Sequence, residues 1–143
     1  MTHKDILTPN TPSLGFGAMR LPDMEQTTQM VDTYMASGYN YFDTAYAYGG
    51  SEELLKNTLV KRHPRHSYMV ANKLPHWELK TPEDNIKILE ESLRRCGMDY
   101  FDFYLMHCTT RDTLPMFEQF GALRVPARAA EEGQAALSGL FAP

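Results

Sequence analysis

The sequence of 143 residues is poor in the features of secreted, membrane and nucleic-acid-binding proteins. Its two cysteines predict reduced thiols in a cytosolic protein rather than a disulfide framework. No apolar run approaches the about 20 residues that span a bilayer, and residues 1–10 lack the apolar core of a signal peptide. The net charge is −4 and basic residues form no long cluster, which argues against a nucleic-acid footprint. We therefore expect a cytoplasmic protein with no membrane and no nucleic-acid partner.

What the sequence contains is a repeated alternation of short apolar runs with amphipathic segments. Four runs end at Gly17, Asp43, Lys73 and His107, roughly 30 residues apart, which is about the length of a βαβ unit. This alternation predicts an α/β fold with a parallel sheet, and the length suits one domain over residues 1–143. The predicted strands are Ser13–Met19, Tyr39–Asp43, Tyr68–Lys73 and Phe101–His107.

Helix signals lie between these runs. Asp23 with Gln26 forms a capping-box pattern that predicts the first helix. Ser51 is predicted to cap the second helix, whose first turn carries two acidic residues. Pro82 is predicted to occupy the first helical position of the third helix, which ends at Gly97.

The last part of the chain departs from this pattern. A short helix is predicted over Met116–Gly121, and residues 122–143 form an atypical, alanine-rich tail. Pro126 would interrupt any long helix there. A short fifth strand is predicted over Ala135–Phe141.

Three polar side chains at predicted strand ends, together with Tyr48 in the loop after Asp43, form a chemically coherent set. A free phenol has a pKa of about 10 and is a poor acid at neutral pH, but a neighbouring ammonium favours its phenolate. Lys73 beside Tyr48, with Asp43 paired to the lysine and His107 orienting a substrate oxygen, would make a general acid for protonating a carbonyl oxygen. The set lacks the three ligands of a metal site.

Each of these residues also has an ordinary structural interpretation. Asp43 alone could cap a loop, Tyr48 could be a surface aromatic, Lys73 a solvated strand tip, and His107 a hydrogen-bonded strand end. The Gly15-x-Gly17 pair is half of a dinucleotide fingerprint and serves equally as a close packing point. Trp77 lines a substrate pocket or simply packs. The functional interpretation therefore depends on whether the four polar groups meet.

At four stretches the sequence resembles the aldo/keto reductases. The order and spacing of these stretches are specific to that family, and Met19–Pro22 is similar to its bacterial branch. The matching segments are Leu14–Pro22, Asn40–Ala45 with Tyr48-Gly49 and Ser51-Glu52, Asn72–Pro75, and Asp99–His107.

The resemblance implies a fold, a reaction and a set of site residues. The family fold is a (β/α)8 TIM barrel, and its members use NADPH, or less often NADH, to reduce aldehydes and ketones. The resemblance implies a catalytic tetrad with Tyr48 as proton donor and a cofactor site near the first strand. The implied catalytic residues are Asp43, Tyr48, Lys73 and His107, and the implied cofactor-binding residues are Gly17, Ala18, Met19 and Asp43.

The resemblance extends over roughly residues 13–121 and corresponds to about the first four βα units of the barrel. Since such a barrel needs about 250 residues, we expect a truncated domain, with a frameshift or a divergent terminus after Gly121, and weak or absent turnover. Two alternatives stay open. The protein is a non-catalytic binding or regulatory member of the family, or a half-barrel that self-associates through the first and fourth strands as exposed edges.

Overall fold

The computed structural model describes residues 12–122 and the strand Ala135–Leu140. Its centre is one sheet of five parallel strands that lie side by side in chain order. The predicted fifth strand is confirmed, and it pairs with the fourth. The strands are β1 (Phe16–Gly17), β2 (Tyr41–Asp43), β3 (Met69–Pro75), β4 (Phe101–His107) and β5 (Ala135–Leu140).

Helices connect the strands, as the alternating pattern predicts. The second helix continues into a π-helical turn, Lys56–Val60, and two short 3₁₀ turns flank β3. Apolar side chains of the helices and of the sheet's helix-facing residues, such as Val31, Phe42 and Leu89, are buried together in one core. The α-helices are α1 (Met24–Ala36), α2 (Ser51–Leu55), α3 (Asp84–Cys96) and α4 (Leu114–Gln119).

The register of the sheet brings the carboxyl ends of the strands to one edge. Gly17 lies beside Asp43, which lies beside Ala71. Further along β3, Lys73 lies beside Leu105, and Pro75 lies beside His107. Because side chains alternate between the two faces of a strand, Asp43, Ala71, Lys73 and His107 share one face. The neighbours of these residues in the chain face the helices.

Two predicted helix starts need correction. Ser51 is the first residue of α2 and not its cap, because Gly50 holds the cap position in a left-handed conformation and the Ser51 hydroxyl bonds to Thr44 instead. The third helix begins at Asp84, after Pro82, because the Asp84 carboxylate accepts hydrogen bonds from the Lys80 and Thr81 backbone amides and holds the preceding turn.

The predicted first and second strands are longer than those observed, and β3 runs two residues past Lys73 to Pro75. By contrast, Asp23 caps α1 as predicted, accepting from the Gln26 amide at 2.8 Å, and α3 ends at Gly97.

The edges of the sheet also differ from the prediction. Because β5 covers β4, the unpaired edges among the described strands are β1 and β5, not β1 and β4.

Cys96 is buried and Cys108 exposed, and both are free thiols. Within residues 12–122 and 135–140, no helix is both long and apolar enough to cross a bilayer.

Candidate functional site

Lys73 is the most deeply placed charged group at the carboxyl edge of the sheet. It is 2% exposed, and its Nζ donates hydrogen bonds to the Asp43 carboxylate and, at 2.8 Å, to the Thr44 carbonyl. A buried ammonium is tolerated when a counter-charge and hydrogen-bond acceptors replace the lost water. Asp43, whose side chain is 29% exposed, supplies that counter-charge. The prediction of a Lys73–Asp43 pair therefore holds in the structure.

Tyr48 reaches the same lysine from the loop between β2 and α2. Lys73 Nζ lies 3.4 Å from the Tyr48 hydroxyl oxygen and 4.9 Å from the centre of its ring. Two backbone bonds fold the loop: the Tyr48 amide donates to the Ala45 carbonyl, and the Ser51 amide donates to the Tyr48 carbonyl, both at 3.0 Å. The phenol is thus held beside the lysine ammonium.

His107 completes the group from the end of β4. Its ring meets the Tyr48 ring edge-on with the centres 5.5 Å apart, and the Trp77 ring lies 5.2 Å away on a tilted approach. Burial lowers the pKa of His107, and the nearby Lys73 charge lowers it further, while Asp43 acts in the opposite sense. A neutral imidazole at physiological pH carries one N–H donor and one acceptor, so it is suited to binding a neutral carbonyl oxygen.

The lowered pKa of His107 predicts that the free energy of unfolding depends on pH. The folded protein binds this proton less readily than the unfolded chain, whose histidine titrates near pH 6.5. The free energy of unfolding therefore loses a contribution as the pH falls from about 7 through that value. Urea unfolding should show a smaller loss between pH 7 and pH 5 for His107→Gln than for the natural chain. If the free energy of unfolding falls equally between pH 7 and pH 5 in the two proteins, the lowered pKa of His107 is contradicted.

The glycine-containing loop after β1 borders the site. A Cβ added to Gly15 would lie 3.2 Å from the Tyr41 ring, so this glycine is a close packing point. A Cβ added to Gly17 would meet nothing within 4 Å, which leaves open space beside Asp43. Met19 is exposed, whereas the Ala18 methyl is buried in the core and its amide donates to the Asp43 carbonyl at 2.8 Å. Gly17 and Met19 thus border a free surface, and Ala18 fastens the loop to β2.

Sequence reasoning missed a second layer of polar residues behind the four side chains. Thr44 and Ser51 bond through their hydroxyls at 2.8 Å, and Asn72 donates to the buried Glu52 carboxylate at 2.8 Å. One signal was present in the sequence, since Glu52 shares a helical face with Leu55 and Leu59. Such a position is normally apolar, so an acidic residue there calls for a buried partner.

The four side chains meet at one edge of the sheet. An ammonium fixed by a carboxylate lies beside a phenol, and a neutral imidazole packs against that phenol. In the part of the chain that the structure describes, no three histidine, cysteine or acidic side chains group in a way that would hold a metal ion.

Comparison with known proteins gives one consistent family. The model of the "Aldo/keto reductase family" matches residues 13–139, so the likeness extends beyond Gly121, where the resemblance seen in the sequence ends. An aldo-keto reductase from Mycobacterium sp. (strain KMS) is 31% identical over 124 residues, covering 86% of this chain and 43% of the relative.

Two further similar proteins extend this comparison. The NAD(P)H-dependent D-xylose reductase of Pachysolen tannophilus is 35% identical over 104 residues, covering 67% of this chain and 30% of that protein. The crystal structure of an aldo/keto reductase from Brucella melitensis superposes with a TM-score of 0.74 at 26% identity, over 92% of this chain and 49% of that one. The chain spans less than half the length of the curated relatives it matches.

Proposed function

Because the chain belongs to the aldo/keto reductase family, we propose that the protein reduces an aldehyde or a ketone to an alcohol with NADPH or NADH. The described residues carry the proton-transfer side of that reaction. The strands of this chain correspond to the first part of a (β/α)8 barrel. The carbonyl substrate is a small molecule that enters at the carboxyl edge of the sheet.

In this proposal Tyr48 gives a proton to the substrate oxygen. The adjacent Lys73 ammonium stabilises the phenolate that remains, and the ion pair with Asp43 holds that ammonium in place. The neutral His107 donates a hydrogen bond to the same oxygen and fixes its direction. The observation that carries the proposal is the 3.4 Å approach of a buried lysine nitrogen to the Tyr48 hydroxyl, with His107 packed on the same ring.

The cofactor belongs, in this proposal, on the open side of the β1 loop. The free space at Gly17 and the exposed Met19 would leave room for the cofactor there. When bound, the nicotinamide supplies a hydride to the carbonyl carbon. Gly17 contributes by leaving room, and Ala18 by tying the loop to the strand that carries Asp43.

We expect slow turnover from a polypeptide of these 143 residues, because it spans under half of its relatives and a complete barrel needs about 250 residues. The test incubates the purified chain with excess NADPH and a set of aldehydes and ketones, and measures the alcohol by mass spectrometry. Alcohol formed above the protein-free rate supports the proposal. No alcohol from any substrate would instead favour a non-catalytic binding member of the family.

A second candidate property is self-association, favoured by β1 and β5, which are the two edges of the sheet formed by the described strands. Unpaired edge strands offer rows of backbone donors and acceptors to another chain. We expect sedimentation velocity to show a concentration-dependent dimer or larger species. A single monomeric boundary at all concentrations would rule this property out.

A further inference from the structure

The first two residues of α2 each hold one of the strands that carry the site. Ser51 bonds to Thr44, the residue directly after β2, and Glu52 bonds to Asn72, which precedes Lys73 on β3. Because neighbours in a strand face opposite sides, Thr44 and Asn72 face the helix layer while Asp43 and Lys73 face the site. The start of one short helix therefore contacts both strands just behind the reactive groups.

The contact between Glu52 and Asn72 is buried. Glu52 is 1% exposed and Asn72 is fully buried. Asn72 Nδ2 donates to Glu52 Oε1 at 2.8 Å, and Arg95 Nη1 lies 3.3 Å from Oε2. The oxygen of the same side-chain amide, Asn72 Oδ1, accepts a hydrogen bond from the Lys73 backbone N–H at 2.6 Å. The Asn72 amide thus links the Glu52 carboxylate to the backbone of the catalytic lysine.

Burying a carboxylate at this position costs free energy. Burial raises the pKa of Glu52, and the bonds from Asn72 and Arg95 act against that shift. Apolar residues of similar volume often replace buried ion pairs with no loss of stability, so packing alone does not require an acid here. A carboxylate does fix the orientation of one amide, because it only accepts hydrogen bonds and so selects the Nδ2 side of Asn72.

The same helix start closes the loop that carries Tyr48. The loop runs from Thr44 to Ser51, whose hydroxyls bond to each other, and Thr44 also accepts from Lys73 Nζ through its carbonyl. Any movement of the first turn of α2 would displace Tyr48 and Lys73 relative to each other. Misplacement by about 1 Å can cost about a hundredfold in rate.

We propose that Glu52 is a positioning residue that, through Asn72, sets the placement of Lys73 against Tyr48. This inference rests on the proposed reductase function for its catalytic consequence, but its structural part is independent of activity. Glu52 touches neither substrate nor cofactor in this account. Its neighbour Glu53 is a matched control, since its side chain is 54% exposed and lies 4.0 Å from the same arginine.

The first test measures backbone amide exchange by NMR on the full chain. Glu52→Gln should speed exchange at Tyr48, Ser51 and Lys73 about tenfold relative to Glu53→Gln, while the amides of β4 stay within about twofold. Uniformly faster exchange over the whole chain would indicate a merely structural role and would overturn the proposal. Equal exchange in the two variants would overturn it as well.

The second test is a reciprocal exchange of the two partners. Asn72→Asp sets two carboxylates against each other and should lower alcohol formation about tenfold or more. Adding Glu52→Gln restores a donor–acceptor pair and should recover at least about half of that loss on a logarithmic scale. A double variant no better than Asn72→Asp would count against the pairing.

The two tests separate this inference from the proposed function. If the natural chain forms no alcohol but Glu52→Gln loosens Tyr48, Ser51 and Lys73 selectively, the proposed reaction fails and the positioning role stands. If alcohol forms at equal rates in Glu52→Gln and Glu53→Gln, and exchange is also equal, the reaction stands and the positioning role fails.

Discussion

Replacing Tyr48 by phenylalanine should lower the rate of NADPH-dependent aldehyde reduction by about 10²–10⁴-fold, the range that general acids contribute. The substitution removes one hydroxyl oxygen, which lies 3.4 Å from Lys73 Nζ, and keeps the ring that packs on His107. Because that contact is long, the free energy of unfolding should fall by less than about 1 kcal/mol. Alcohol formation by mass spectrometry and urea unfolding measure the two quantities.

Tyr46 supplies the matched control for this experiment. It lies in the same loop, two residues before Tyr48, and its ring packs under the Arg95 guanidinium at 4.5 Å. Tyr46→Phe removes the same chemical group and keeps that packing, so its rate should stay within about threefold of the natural chain. If both variants lose activity to the same degree, the loop as a whole and not the Tyr48 hydroxyl would be responsible.

Replacing Asp43 by alanine should destabilise the fold by about 3 kcal/mol, the lower end of the cost of breaking a buried ion pair. The variant removes the carboxylate that pairs with the Lys73 ammonium, which is 2% exposed. The remaining contacts to the Thr44 carbonyl and the Tyr48 hydroxyl compensate only in part. The measurement is urea unfolding at pH 7, read as a change in midpoint at constant slope.

The two partners of this ion pair are unequally buried, so their removal should have unequal effects. Lys73→Met keeps the volume of the buried side chain and leaves Asp43, which can still be hydrated at 29% exposure. It should cost about 1–2 kcal/mol, and the double variant should cost less than Asp43→Ala alone. Equal costs for the two single variants would indicate that burial of the lysine is not what makes the pair necessary.

Three of the four site residues, Asp43, Lys73 and His107, could be placed from the sequence because each ends an apolar run. A polar side chain at the carboxyl end of a parallel strand has few packing uses, and parallel strands share that end. The register of the sheet then brings Asp43, Lys73 and His107 to one face. The position of Tyr48 in space was not predictable in this way, because it depends on the two backbone bonds that fold its loop.

The residues behind the site were missed because local rules gave a satisfactory alternative for each. Ser51 and Glu52 match the preferences of a helix start, where a hydroxyl caps and an acid favours the dipole. Ser51 instead bonds to Thr44 across the loop, and Glu52 bonds to Asn72 on β3, 20 residues further along the chain. Arg95, which pairs with Glu52 from α3, lies 43 residues further along the chain. Contacts of this range depend on how the helices pack on the sheet, which the local pattern does not contain.

The edge strands show the same limit. A fifth strand was predicted, but the self-association alternative took the fourth strand as an exposed edge, whereas β5 pairs with β4 in register from Phe101 to Met106. Strand pairing depends on backbone groups more than on side-chain type, so a segment of small residues can extend the sheet. The family match, which reaches residue 139, agrees with this extension.

The most direct test of the account follows deuterium from the reduced nicotinamide into the product. The chain is incubated with an aldehyde and NADPH deuterated at the transferable position, and the alcohol is analysed by mass spectrometry. We expect deuterated alcohol from the natural chain and from Tyr46→Phe, and only the protein-free background from Tyr48→Phe. Deuterated alcohol from Tyr48→Phe at the rate of the natural chain would contradict the claim that the Tyr48 phenol delivers the proton.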